Sequence, residues 1–446
     1  MDRTWDRPAA SQIAFAMLLG CCATMIVRPA EIVPALMGLP IYDAFISSAL
    51  LFGFRGLQKR LSWDNLKQEP TTLCLFGVLF AIMASHLARF YIGGAVGGAK
   101  DFFKVMLLFG LIVSLTDTVS RMRVLLAVLA LSATVTVGLC VLDYLEAIDI
   151  EFITHISESG AVNEANMATK YTRMRGTGIF QDPNDLCLII VFSWVVCTYF
   201  LLDEKLKGTR FTLLIPMAIL ATGLLCTKSR GGLMAAGLGF LILVVCKYGK
   251  QAALLFGIVG LCALPLIAGR QANIDIGEGG TGHERIMLWR DGLVALRSPA
   301  ILFGVGQGMY EDYAGLVAHN SFIHAFVELG LIGGTLFLGC FFFPAMTLWR
   351  LRHERHKLTH PELQRLYPFI VAMLAGWTMS LQSLSRVYIV STYLMLGVQV
   401  AYANLVTIHL EPRRLVTSWD RSHLMRLAVC SVMVFAFFNV FVIVFA

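Results

Sequence analysis

The chain has 446 residues, of which 57% are hydrophobic and 15% charged, and its mean hydropathy is +0.72. An ordinary soluble domain is about a quarter charged, so this chain cannot cover itself with polar groups in water. The formal charge of +7 is scattered through short polar breaks, which argues against a nucleic-acid binder and makes the distribution of cations a topology signal.

Apolar runs near the roughly 20 residues that cross a hydrocarbon core recur from Ser11 to Ala446. They predict an all-α, polytopic integral membrane protein with about 12–13 transmembrane helices, a single membrane domain over 1–446 and no separate soluble domain. The first run follows MDRTWDR, lacks a small-residue cleavage site and is succeeded at once by a second run, so it reads as a retained helix. Candidate spans are 11–27, 30–54, 71–92, 102–116, 124–143, 185–202, 211–227, 231–246, 251–268, 319–348, 367–384, 387–408 and 427–446. All 11 cysteines fall in or at the edge of these runs, which argues against a disulfide framework or a thiolate metal site.

With the N-terminus in the cytoplasm, most of the 36 Lys and Arg fall on the cytoplasmic side. They run from Arg3 and Arg7 through Arg55, Lys59, Arg60 and Lys67 to the RLRHERHK stretch and Arg413, Arg414, Arg421 and Arg426. The remainder gather in two long loops, 144–184 and 269–318, because longer segments translocate with less regard to charge. Both loops then face away from the cytoplasm, and the second is expected to carry short helices. Loops of this length between short-looped helices are usually functional. No internal repeat of useful length is evident, which weakens an inverted-repeat transporter.

Cations outside the cytoplasmic loops are costly unless used, which singles out Arg175, Lys228, Arg230, Arg285, Arg290 and Arg386. Arg230 ends a TKSRGG turn between two apolar runs. Its bland reading is a snorkelling interfacial cation. The functional reading is an anion clamp, since guanidinium groups bind phosphate oxygens bidentately and stay charged, so Arg230 and Arg285 from different segments suit a diphosphate. Backbone amides at the Gly231-Gly232 helix start would add donors.

A second constellation is AHNSFIHAFVELGLIGG, where the outer loop enters a helix. Asn320, His324 and Glu328 are spaced four apart and form one stripe, with His319 at its mouth. His319 and Glu328 fall on opposite faces if the helix is continuous. Glu328 lies inside an apolar segment and needs a partner, so a packing role with His324 is the favoured reading. His319 stands at the water boundary near a helix N-terminus, a setting that favours neutral imidazole able to accept a proton. GVGQG at 304–308 lacks the context of a phosphate loop and reads as a tight turn toward the membrane. Asp149 and Glu151 read as solvated acids, and Trp289 and Phe180 either stack on a sugar ring or anchor at the interface.

RGTGIFQDPNDL, TKSRGG, HERIMLWRDGL with LFGVGQGMY, and HNSFIHAFVELGLIGG together resemble, in that order, the O-antigen ligase and polymerase superfamily over roughly 70–400. The resemblance implies a metal-independent, inverting glycosyltransferase with no cofactor, in the bacterial inner membrane with its active site on the periplasmic face. It implies an undecaprenyl-diphosphate-linked glycan donor and, as acceptor, a glycan, lipid A core, a lipid-linked repeat unit or a protein hydroxyl. By position His319 matches the general base and Arg230 and Arg285 the diphosphate ligands, with Arg175, Asn320, His324 and Glu328 in support. A second loop shorter than in many ligases and a thirteenth apolar run leave ligase and polymerase both open. A transporter, the rival class, predicts charged residues near the bilayer midplane on paired broken helices.

Overall fold

The structure is a computed structural model that describes residues 11–162, 168–267, 281–297 and 300–446; Arg3, Arg7, Glu164 and part of the 269–318 loop, among the residues considered above, lie outside that set. In chain order the helices are α1 (Gln12–Val27), α2 (Pro29–Ile32), α3 (Ile41–Arg60), α4 (Trp63–Leu66), α5 (Pro70–Leu87), α6 (Ile92–Leu115) and α7 (Val119–Tyr144). An antiparallel hairpin, β1 (Ile156–Val162) and β2 (Ala168–Arg173), follows, with Ile156 opposite Arg173. Then come α8 (Pro183–Leu201), α9 (Leu214–Cys226), α10 (Arg230–Tyr248), α11 (Lys250–Ile267), α12 (Thr281–Ala295) and α13 (Tyr310–Ala314). The last four are α14 (Ser321–Leu351), α15 (Pro361–Ser380), α16 (Val390–His409) and α17 (Arg421–Phe445).

Among the described residues, nine helical stretches are long and apolar enough to cross a membrane. The molecule is an all-α polytopic membrane protein. Each predicted apolar run finds a helix, and the two largest shifts are in the starts of α3 and α6. The run expected at 30–54 is helical over 41–60, because Pro29, Pro34 and Pro40 confine the preceding residues to short turns. The run expected at 102–116 begins at Ile92, so the IGGAVGGAKD stretch is helix, with Lys104 paired to Asp101 at 3.0 Å on its exposed face.

The helices at the centre of the bundle are apolar all round. α8 and α16 are buried along most of their length, whereas α17 and α11 present Val432, Met433, Phe437, Leu254, Leu255 and Val259 outward, as lipid-facing helices do. Central crossings use small residues, which let backbones approach where no hydrophobic force drives helix association. A methyl on Gly376 of α15 would stand 3.3 Å from the Ala235 carbonyl oxygen of α10, and one on Gly339 of α14 2.5 Å from Cys74 Sγ of α5.

Hydrogen bonds tie the helix ends into two layers. At one end Arg123 reaches Asp203 (2.8 Å) and Glu362 (3.0 Å), Arg365 reaches Asp203 (2.9 Å), and Asn404 and Arg60 share Glu69 (2.9 and 3.2 Å). At the other end Tyr144 donates to the Thr172 carbonyl (3.1 Å), Gly178 N to Glu31 (2.7 Å) and Arg173 to the Thr227 carbonyl (3.0 Å). The alternation is the one the chain threading expects, and the described parts of both long loops lie at the second end.

α14 is broken. Gly330 takes φ +69° and ψ −172°, which interrupts the helical ladder and leaves carbonyls before the break without their usual donors. Residues 301–306 fill the gap: Val305 N donates to Val327 O (2.9 Å), Gly306 N to Glu328 O (3.1 Å), and in return Leu331 N donates to Ile301 O (2.9 Å). The glycine run read as a turn toward the membrane is therefore the plug of a split helix.

Candidate active site

Four segments meet at the loop-bearing end, and local sequence positions each one. Asp182 caps α8 by accepting from Asn184 N (2.7 Å), with Pro183 at the first helical position where its missing N–H costs nothing. Ser229 caps α10 in the same way through Gly232 N (2.9 Å), which sets Arg230 at the first position of that helix. The two caps are stitched together, since Ser229 Oγ donates to Asn184 Oδ1 (2.5 Å) and Arg173 Nε to the Thr227 carbonyl (3.0 Å).

The third segment is the mouth of α14. Asn320 accepts from Phe322 N and Ile323 N (3.0 and 3.2 Å) while its amide donates to Gln382 (2.9 Å), so it is a cap held from across the bundle. The preceding residue, His319, sits just outside the helix at φ +47°, an uncommon conformation for a residue with a Cβ. Trp289 of α12 donates to the Ala318 carbonyl at 2.6 Å and pins this corner.

The fourth is residues 381–389, between α15 and α16. Ser321 Oγ donates to the Leu384 carbonyl (2.6 Å), Arg386 N donates to Ser321 Oγ (2.9 Å), and the Arg386 guanidinium forks onto Asp185 of α8.

Charge then concentrates around His319. Partial burial lowers its pKa below the usual 6.5, and the positive charges of Arg285 and Arg386 push the same way, with Asp182 opposing them. A neutral imidazole at physiological pH is the outcome. The field at Arg285 is set by the same neighbours: burial lowers its pKa, Arg173 and Arg230 add to that, and Asp182 counters it. A guanidinium so perturbed is still a cation at neutral pH. His319, Arg285, Arg230, Arg173 and Asp182 thus share one electrostatic neighbourhood although they come from separate segments. Three guanidiniums and one carboxylate that act on one another form a grouping suited to a multiply charged anion.

Residues 215–338 match the O-antigen ligase family model. That match, over 124 of the 446 residues, supports a relation to the O-antigen ligase superfamily. The matched stretch runs from α9 into α14 and holds Arg230, Arg285, His319, Asn320, His324 and Glu328, whereas Arg173, Asp182 and Arg386 lie outside it. No curated protein matches the chain. The superfamily comprises membrane glycosyltransferases of the ligase and polymerase type, whose substrates are lipid-linked glycans.

Against that O-antigen ligase framework, several expected roles change. Of the Gly231-Gly232 amides, Gly232 N is taken by Ser229, and both glycines serve close packing, since methyl groups there would stand 2.2 Å from Ser383 Oγ and 2.3 Å from Cys187 Sγ. Phe180 is fully buried and cannot meet a sugar, and Trp289 is engaged with Ala318 and edge-on to Phe438 of α17. Arg175 is tied within the first long loop, to the carbonyls of Gln181 and Thr154. Asp149 and Glu151 are exposed.

His324 and Glu328 have the expected packing role, in more detail than their spacing disclosed. His324 Nε2 lies 3.0 Å from Glu328, which also accepts from Tyr388 OH (2.8 Å) and Tyr310 N (3.1 Å). The carboxylate is fully partnered at the break in α14 and joins α13, α14 and the 381–389 segment. Residues whose part in the site was not read from sequence are Arg173, Asp182, Asp185 and Gln382. The DPND run was a visible helix-cap signature, but a cap motif does not disclose what lies across the bundle from it.

Proposed function

We propose that the chain transfers a glycan from undecaprenyl diphosphate to an acceptor hydroxyl at the periplasmic face of the bacterial inner membrane, with inversion and without a cofactor. The observation that carries this reading is the convergence of His319 with Arg285, Arg230 and Arg173 at one end of the bundle. The orientation is supported by the excess of Lys and Arg in the short loops at the opposite end.

In the proposed step neutral His319 accepts the proton of the acceptor hydroxyl as that oxygen bonds to the anomeric carbon. The bond from this carbon to the diphosphate oxygen breaks, and the electron pair leaves with the lipid diphosphate. Arg285 and Arg230 hold the charge that develops on the departing group, and their fixed positions make this stabilisation available without reorganisation. The backbone at His319 is fixed by Trp289 on one side and the Asn320 cap on the other, which holds the base at the mouth of α14.

The broken α14 with an acid and a histidine beside the break is a feature a transporter would share. Glu328 there is saturated by protein donors and the gap is plugged by 301–306, which supports a structural joint rather than an ion path. Ligase and polymerase use the same arrangement. A deletion strain separates them, since long chains left on undecaprenyl diphosphate indicate a ligase and single repeat units a polymerase. His319→Ala in the reconstituted protein is expected to abolish transfer with unchanged thermal stability; transfer at the normal rate refutes the base assignment.

A further inference from the structure

We propose that Asp182 is the positioning carboxylate of the proposed transfer reaction: its negative charge supports His319 as base and moderates the hold of the arginines on the lipid diphosphate. The proposal rests on His319 being the base.

The geometry begins at the start of α8. Asp182 Oδ1 accepts from Asn184 N, and the next two polar side chains point the helix end in two directions. Asn184 is bound by Ser229, the neighbour of Arg230, and approached by Arg173 NH2 at 3.5 Å. Asp185 is bound by Arg386, whose backbone N donates to Ser321 Oγ, two residues past His319. The α8 cap therefore stands between the arginine group and the mouth of α14. Asp185, the other acid in this knot, is consumed by its fork with Arg386. Asp182, at the same cap and without such a fork, is the acid whose charge opposes the cations around both Arg285 and His319.

The chemistry needs such a group. When His319 accepts a proton it becomes a cation beside Arg285 of α12 and Arg386 of the 381–389 segment, with His324 farther along α14. All three disfavour the imidazolium, and a carboxylate nearby offsets them, as a buried aspartate stabilises the imidazolium of a catalytic histidine elsewhere. The same carboxylate cancels part of the positive field that binds the diphosphate. One residue therefore trades donor affinity for base strength.

Asp182→Asn isolates the charge, because asparagine caps a helix as well as aspartate does. In the reconstituted full-length protein with an undecaprenyl-diphosphate glycan, kcat is expected to fall about 10- to 100-fold, the range typical of general-base effects. The acid limb of the kcat/KM profile is expected to move down by about half to one pH unit, and donor KM to fall or stay level. Asp182→Ser, which also caps without charge, is expected to do the same. A merely structural residue predicts the opposite set: lower thermal stability, a higher KM and an unmoved acid limb. If His319→Ala is inactive but both Asp182 variants keep the normal acid limb, the proposal is overturned while the base assignment stands. If His319→Ala is active, the underlying reading fails instead.

Discussion

Replacing Gly330 by alanine tests whether the broken α14 is a built joint. With φ +69° and ψ −172° the residue occupies a region that is essentially restricted to glycine, and placing a Cβ there costs about 1–3 kcal/mol. The Cβ would also lie 2.3 Å from the Leu302 carbonyl oxygen and 2.5 Å from Phe303 N, backbone atoms that cannot rotate away. The 301–306 plug would have to withdraw, stretching the bonds from Val305 N to Val327 O and from Gly306 N to Glu328 O, now 2.9 and 3.1 Å. At about 1 kcal/mol for each hydrogen bond lost, the total comes to about 3–5 kcal/mol. SDS-titrated unfolding of the purified protein in mixed micelles reads this directly. Gly304→Ala, whose Cβ would meet Glu328 O at 2.2 Å, attacks the same joint from the other side, so the double variant should lose less than the two single losses added together. Gly97→Ala on α6, with nothing within 4 Å of its Cβ, serves as the control and should leave stability level or slightly higher. A loss under about 1 kcal/mol for Gly330→Ala would refute the strain and the plug together.

Further consequences concern the site. Arg285→Lys keeps the charge but not the planar fork, and transfer is expected to drop about tenfold or more with weaker binding of the lipid diphosphate; normal affinity in a direct binding assay counts against the clamp. Because His319 must be neutral to accept a proton and its pKa is held below 6.5, kcat/KM is expected to rise with pH and reach half its plateau below pH 6.5; a midpoint above that value contradicts the field described here. Asp185→Asn strands the Arg386 guanidinium in a pair whose acid is 2% and base 28% exposed, so a loss of about 3 kcal/mol is expected, with partial recovery in Asp185→Asn with Arg386→Gln. Failure of the double variant to regain stability would mean the pair is not the source of the loss.

Hydropathy made the helices legible because crossing a hydrocarbon core imposes a local requirement, about 20 apolar residues in a row, that each segment meets by itself. The same locality explains the errors. Closely spaced prolines before Ile41 and charged residues at Lys100 and Asp101 blurred two helix starts, since neither hydropathy nor composition states where a ladder of hydrogen bonds begins. The GVGQG run was seen as a turn but not as a plug, because its partner carbonyls belong to a helix break further along the chain.

The sequence by itself determined the membrane class, the helices, the alternation of their ends and the candidacy of His319, Arg230 and Arg285, all of which rest on residue type and near neighbours. Only the tertiary structure decided which side chains share a field. It retired Phe180 into the core, assigned Gly231 and Gly232 to packing, tied Arg175 into its own loop, and set the charge of Asp182 against the cations around His319 and Arg285. Contacts between distant segments follow from how helices pack on one another, and that packing is settled by the whole bundle rather than by any stretch of the chain.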